Sequence, residues 1–201
     1  MAKRKPAAER RRQIACAAGE LFAERGVQAT TVRDIGERVG VLSGSLYHHF
    51  KTKQDIVHEL MRSYRDELIA RYRAANEQGG TARERLERLF RACVASNLSH
   101  PAETAILIHE LDKLFQQEEF AYIQALVDDV EEIFVTVIAD GMSAGEIRRD
   151  IAPAFAYRMM MDVMGAVQRW YEPGKHTEDQ VVGGWIDIFF RGIAVDLQRR
   201  V

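Results

Sequence analysis

The sequence predicts an all-α protein of nine helices. A small N-terminal domain of three helices contains a helix-turn-helix, and a larger C-terminal helical domain follows it. Three observations predict this. Apolar residues recur at helical spacing almost throughout, and no alternating segment flanked by turn pairs reads as a strand. The prolines, at 6, 101, 153 and 173 only, leave long stretches free of helix breakers. Charge is also divided along the chain. Residues 1–60 carry eleven Lys or Arg against seven Asp or Glu, and the remainder carries seventeen against twenty-three. A basic module on an acidic body points to a segment that faces nucleic acid.

Each element has its own signals. The first helix is expected over residues 7–25, with Ile14, Ala18, Leu21 and Phe22 on one face and Gly26 as its stop. Thr31 with Asp34 three residues on reads as a capping box for a short second helix through Val32, Ile35 and Val39, ending at Gly40. A third covers about 43–49, with Leu46 and Phe50 facing inward. A fourth, connecting helix starts near Thr52–Lys53 and reaches toward Gly79–Gly80. Residues 82–99 follow, with Leu86, Leu89, Phe90, Cys93 and Val94 on one stripe. Pro101 opens the sixth helix. The seventh spans about 117–140 and closes around Gly141 and Gly145. Pro153 opens the eighth, which Pro173–Gly174 ends. Thr177 caps the ninth, to about 198. The expected domain boundary is 1–52 for the helix-turn-helix domain and 53–201 for the helical body.

Composition excludes several classes. No apolar run approaches the roughly 18–20 residues of a spanning helix, and the basic start is not followed by a signal-peptide core. Cys16 and Cys93 are too few for a disulfide framework and fit a reducing cytoplasm. A cytoplasmic protein without membrane association is expected. There is no Walker loop, no strand-borne GxGxxG, no GxSxG elbow and no HExxH, so no enzyme activity and no cofactor are expected. Adjacent His48 and His49 diverge by about 100° on a helix, and no cysteine pair has zinc spacing, so no metal site is expected.

Residues 31–50, TVRDIGERVGVLSGSLYHHF, carry the functional signal. Two helices that cross steeply through a tight turn need a small residue at the contact, here Gly36. They also need one free to take positive φ in the turn, here Gly40. Ile35, Val41 and Leu46 supply the apolar anchors. Ser43, Gly44 and Ser45 are small enough to let a helix backbone approach base edges. Tyr47 and His48 lie one turn on. Thr31, Arg33 and Lys53 complete the candidate DNA contacts, with Arg33 and Lys53 directed at phosphates.

These residues resemble the TetR family of transcriptional repressors. The resemblance covers about residues 8–55. It rests on Phe22-Ala23-Glu24-Arg25-Gly26, Thr30-Thr31-Val32-Arg33-Asp34-Ile35, Gly40-Val41 and Gly44-Ser45-Leu46-Tyr47-His48-His49-Phe50, followed by Lys53. It implies a homodimer whose recognition helices enter successive major grooves of double-stranded operator DNA. It also implies a small-molecule pocket in the larger domain, whose occupation moves the connecting helix and releases DNA. Leu42-Ser43 depart from the family pattern of Ser followed by Lys or another polar residue, and Leu42 is expected to pack rather than cap. A narrower resemblance, through Leu42 to Phe50 and Arg169-Trp170-Tyr171-Glu172-Pro173-Gly174, is to actinobacterial repressors of steroid-ring catabolism. It implies a coenzyme A thioester effector. Met161 and Gly165 stand where that subfamily has an Arg and a Trp lining its pocket.

The last two helices carry more apolar residues than a single stripe of about 100° accommodates. They face either a second copy, as a homodimer through these helices, or the centre of a monomeric bundle. Candidate effector-lining residues are Phe90, Val94, Leu107, His109, Leu111, Met160, Met164 and Trp170. Methionines suit a pliable apolar cavity. His109 is expected among apolar neighbours, as a ligand contact or a structural hydrogen-bond partner. The alternatives are a helical small-molecule-binding protein without linkage to DNA, and an activator without effector-induced release.

Overall fold

The structure is a computed structural model and describes residues 6–172 and 174–193. The described chain is helical, in the expected order: α1 (Ala7–Arg25), α2 (Val32–Val39), α3 (Ser43–Leu46), α4 (Lys53–Glu77), α5 (Ala82–Ser99), α6 (Pro101–Phe115), a 3-10 turn (Glu118–Phe120), α7 (Ala121–Ala144), α8 (Pro153–Trp170) and α9 (Glu178–Ile193). Four helices start on the same device. A threonine accepts from the backbone three residues on, and the side chain there accepts from the threonine's own N–H. The pairs are Thr31–Asp34, Thr52–Asp55, Thr81–Glu84 and Thr177–Gln180.

Two boundaries differ from expectation, and a third falls beyond what is described. The third helix ends at Leu46 rather than about 49: residues 47–49 form a turn in which His49 N–H joins Phe50 N–H on the Leu46 carbonyl. The seventh begins as a 3-10 turn, in which Phe120 N–H reaches the Gln117 carbonyl, and runs on to Ala144. The ninth is described to Ile193, so its expected end near 198 lies outside the described residues.

The chain divides into two compact units. One comprises residues up to Asp66 together with His100–Gln124; the other comprises Glu67–Ser99 together with residues from Ala125 onward. In the first unit the first turns of α4 and all of α6 gather with the N-terminal helices. In that first unit α1 packs on α2 and α6. Gly19 permits the α1–α6 approach: a Cβ there would stand 2.9 Å from that of Ala102. Ile14, Ala18, Leu21, Phe22, Ile35, Leu46, Phe50, Ile56 and Ile106 form its core.

In the second unit α5 packs on α8 and α9. Leu86, Leu89, Phe90, Phe134, Val137, Met160 and Val182 are buried there. Phe90 meets Trp185 with ring centroids 3.7 Å apart. Arg83–Asp187 and Arg91–Asp179 ion pairs flank this α5–α9 seam. α7 closes on Gly141, where a Cβ would lie 2.5 Å from that of Ala82. Along α8, Phe155, Met159 and Val163 stand outward at four-residue intervals, and Trp170 and Ile188 are also exposed. No helix among the described residues is long and apolar enough to cross a membrane.

Candidate nucleic-acid interface

The α2–α3 crossing is built from its turn outward. α2 ends with Gly40 at φ +68°. Gly40 N–H reaches the Glu37 carbonyl and Val41 N–H reaches that of Gly36, at 3.2 and 2.9 Å. This paired closure satisfies the last carbonyls and needs a left-handed residue at Gly40. Arg38 ties α2 back to α1 through Glu20 and Glu24, each at 3.0 Å. Leu46 and Phe50 then anchor the recognition segment from below. With that side inward, Gly44, Ser45, Tyr47 and His48 are exposed together. A Cβ at Gly44 would meet nothing within 4 Å, so a partner's backbone can approach it closely. The side chain of Ser43 lies outside those described.

The flanking candidates already have work to do. The Thr31 hydroxyl and N–H both donate to the Asp34 carboxylate, at 2.6 and 2.8 Å, and hold it below the usual carboxylate range. Arg33 is exposed and pairs with Glu37 at 2.8 Å. Lys53, expected at a phosphate, instead donates to the carbonyls of Val27 and Thr30 at 2.7 Å each and of Gln28 at 3.3 Å. It reaches back because the α1–α2 loop ends beside the first turn of α4 and leaves three carbonyls without helical partners. Leu42 does not pack. It is 85% exposed, since the segment's inward positions are taken by Leu46 and Phe50.

A basic cleft next to this face escaped the sequence reading. Arg11, His49, Lys51, Asp55, His58, Glu59 and Arg62 line an open volume of about 430 Å³. Arg11 organises it: its guanidinium sits 3.9 Å over the Phe50 ring, donates to the His49 carbonyl and pairs with Glu59 at 2.9 Å. The N-terminal run of arginines was a signal for Arg11, but Lys51 and Arg62 come together with it only through the fold. His58 stacks on Phe120, centroids 4.0 Å apart and planes within 6°, and its Nδ1 lies 3.1 Å from the Tyr122 hydroxyl. Burial pushes the Tyr122 phenol up to about 12, so it stays protonated.

The candidate effector residues fall in both units. In the first, Leu107 and Leu111 are half-buried, and His109 is exposed rather than set among apolar neighbours. The inward side of α6 is occupied by Thr104, Ile106 and Glu110, and the Glu110 carboxylate pairs with Lys113 at 2.8 Å. In the second, Phe90, Val94, Met160 and Met164 are buried, while Trp170 is 48% exposed and stands edge-on to His176. The Asn97 amide donates to the Met164 carbonyl at 3.2 Å and its oxygen faces the Cys93 sulfur at 4.0 Å. Burial pushes the Cys93 thiol up to about 11, against a smaller pull from Tyr72.

Comparison with known proteins places this arrangement. Residues 14–60 match the family described as bacterial regulatory proteins, tetR family, and residues 79–193 match the tetracyclin repressor-like C-terminal domain. The HTH-type transcriptional repressor KstR2 of Mycobacterium tuberculosis is 39% identical over 174 residues, 87% of each chain. The structure of ketosteroid transcriptional regulator KstR2 of that organism superposes with a TM-score of 0.85 at 37% identity, covering 93% of this chain and 96% of that one. AibR in complex with isovaleryl coenzyme A and operator DNA shares the fold, with a TM-score of 0.79 at 22% identity over 90% of this chain and 98% of that one.

Proposed function

The chain belongs to the TetR family of regulatory proteins, and from that premise we propose that it is a homodimeric repressor released from operator DNA by a coenzyme A thioester. One observation carries the DNA-binding part: Gly44, Ser45, Tyr47 and His48 are exposed as one face on a short helix pinned from below by Leu46 and Phe50. Such a face offers small groups to base edges and longer polar groups to the flanking phosphates. Lys51, exposed just past Phe50, is the phosphate contact that replaces Lys53 in this reading. Arg33 can swing from its exposed pairing with Glu37, since such pairs contribute little in water.

Dimerisation through α8 and α9 is supported by the outward row Phe155, Met159 and Val163 with Ile188. An apolar row of this kind on an otherwise polar surface marks an interaction site. The effector class rests on the kinship with a ketosteroid regulator and on a chain of the same fold that holds isovaleryl coenzyme A and operator DNA. Phe90, Val94, Met160 and Met164 would meet its apolar part. The test is fluorescence anisotropy on DNA from upstream of the protein's own gene, with and without straight-chain and steroid-derived acyl-CoA esters. Tight binding that one ester weakens, with reciprocal weakening of ester binding by DNA, is the expected result. Tight binding unmoved by every ester would discard the effector assignment, and absence of sequence-specific binding at low salt would count against the whole reading.

A further inference from the structure

We propose that Leu42 reads the 5-methyl group of one thymine in each half of the operator, an inference that rests on the DNA-binding reading above. Leu42 is the most exposed large apolar side chain among the described residues, at 85%. It is not on a loose loop. Its carbonyl accepts from Ser45 N–H at 2.9 Å, and Val41 before it is held by the Gly36 carbonyl at 2.9 Å. Leu42 therefore stands at a fixed place at the start of α3, continuous with the exposed Gly44, Ser45, Tyr47 and His48.

In the free protein this residue is a double loss. A Ser, Thr, Asp or Asn at this position would cap α3, which leucine cannot do. Leucine also leaves its side chain in water. The compensation lies in what the face meets. The major groove presents hydrogen-bonding edges at every base pair and a single kind of apolar group, the thymine methyl. Neighbours that are small or absent, Gly44 above all, let the backbone approach closely enough for a leucine beside them to reach the groove floor. Burying one methyl group against it corresponds to about fourfold in affinity, or about fifteenfold when both half-sites of a dimer are counted.

The experiment starts from an operator enriched by in vitro selection with the full-length protein. Each thymine is replaced by deoxyuridine, in symmetric pairs, which removes the methyl and nothing else. The wild-type protein is expected to lose about fifteenfold at one symmetric position. Leu42→Ala is expected to bind the parent operator more weakly and the thymine and uracil duplexes at that position equally. Leu42→Ser, which restores a cap, should bind with the same indifference, and both variants should keep the wild-type affinity for nonspecific DNA. A wild-type protein indifferent to uracil at every position would overturn the proposal while leaving operator binding intact. So would a Leu42→Ala variant that keeps the methyl preference. Selection that enriches no sequence would overturn the DNA-binding reading itself and this inference with it.

Discussion

An ammonium group carries three protons, and at Lys53 the structure supplies three carbonyl oxygens for them, on Val27, Gln28 and Thr30. This fastens the first turn of α4 to the loop that delivers α2. Lys53→Ala should therefore cost about 2 kcal/mol in urea unfolding, since it leaves part-buried carbonyls unpaired. It should weaken operator binding without changing the slope of log affinity against log salt. Lys51→Ala should do the reverse: unfolding unchanged, and a slope shallower by about 0.9 for each phosphate that Lys51 neutralises. A second consequence at this scale concerns acid. Hydrogen bonds from Thr31 hold Asp34 low, and those from Thr81 hold Glu84 low. Each such carboxylate contributes stability above its unfolded pKa, about 4, and that stability is lost as pH falls through the lower folded value. The difference in melting temperature between wild type and Asp34→Asn should be present at pH 7 and close below about pH 4. Individual exposures were the least legible part of the sequence. Leu42 precedes the four-residue α3, where spacing cannot fix which side faces the core, and on α6 the inward side is taken by Thr104, Ile106 and Glu110, which leaves His109 outward.

Most of the elements could be read because their ends are written in local chemistry. Thr31–Asp34, Thr52–Asp55, Thr81–Glu84 and Thr177–Gln180 mark four starts, and Pro101 and Pro153 mark two more. Gly40 and Gly145, at φ +68° and +78°, close α2 and α7. Where local chemistry is ambiguous the expectation slipped. Nothing in Tyr47-His48-His49 forbids helix, yet the third helix stops at Leu46 and residues 47–49 form a turn. The capping devices also differ in what disturbs them. The α9 cap uses a neutral Gln180, so acid that loosens the charged caps of α2 and α5 leaves it in place.

At the scale of the whole molecule, the order of the nine helices among the described residues was legible, and the grouping of α6 with the N-terminal helices was not. That grouping depends on a non-local fit, Gly19 against Ala102, which no periodicity encodes. The exposed apolar row on α8 was legible as surplus. Met159→Glu places a charge at a site half-exposed in the single chain, so folding should be retained. If this row joins two copies, the variant should sediment at half the wild-type mass and bind the operator at least tenfold more weakly, because a lone protomer engages one half-site. An unchanged mass would remove α8 from the interface.

The two cysteines differ in a way that has a practical side. Cys16 is exposed on α1, while Cys93 is sealed in the second unit with its thiol pushed up to about 11. At neutral pH a maleimide reagent finds almost no thiolate at Cys93 and free access at Cys16. The unaltered protein therefore accepts one spin label per chain on the helix that carries the recognition module. In a dimer the two labels form a built-in ruler, read by dipolar spectroscopy, for the distance between the DNA-reading ends before and after an effector binds.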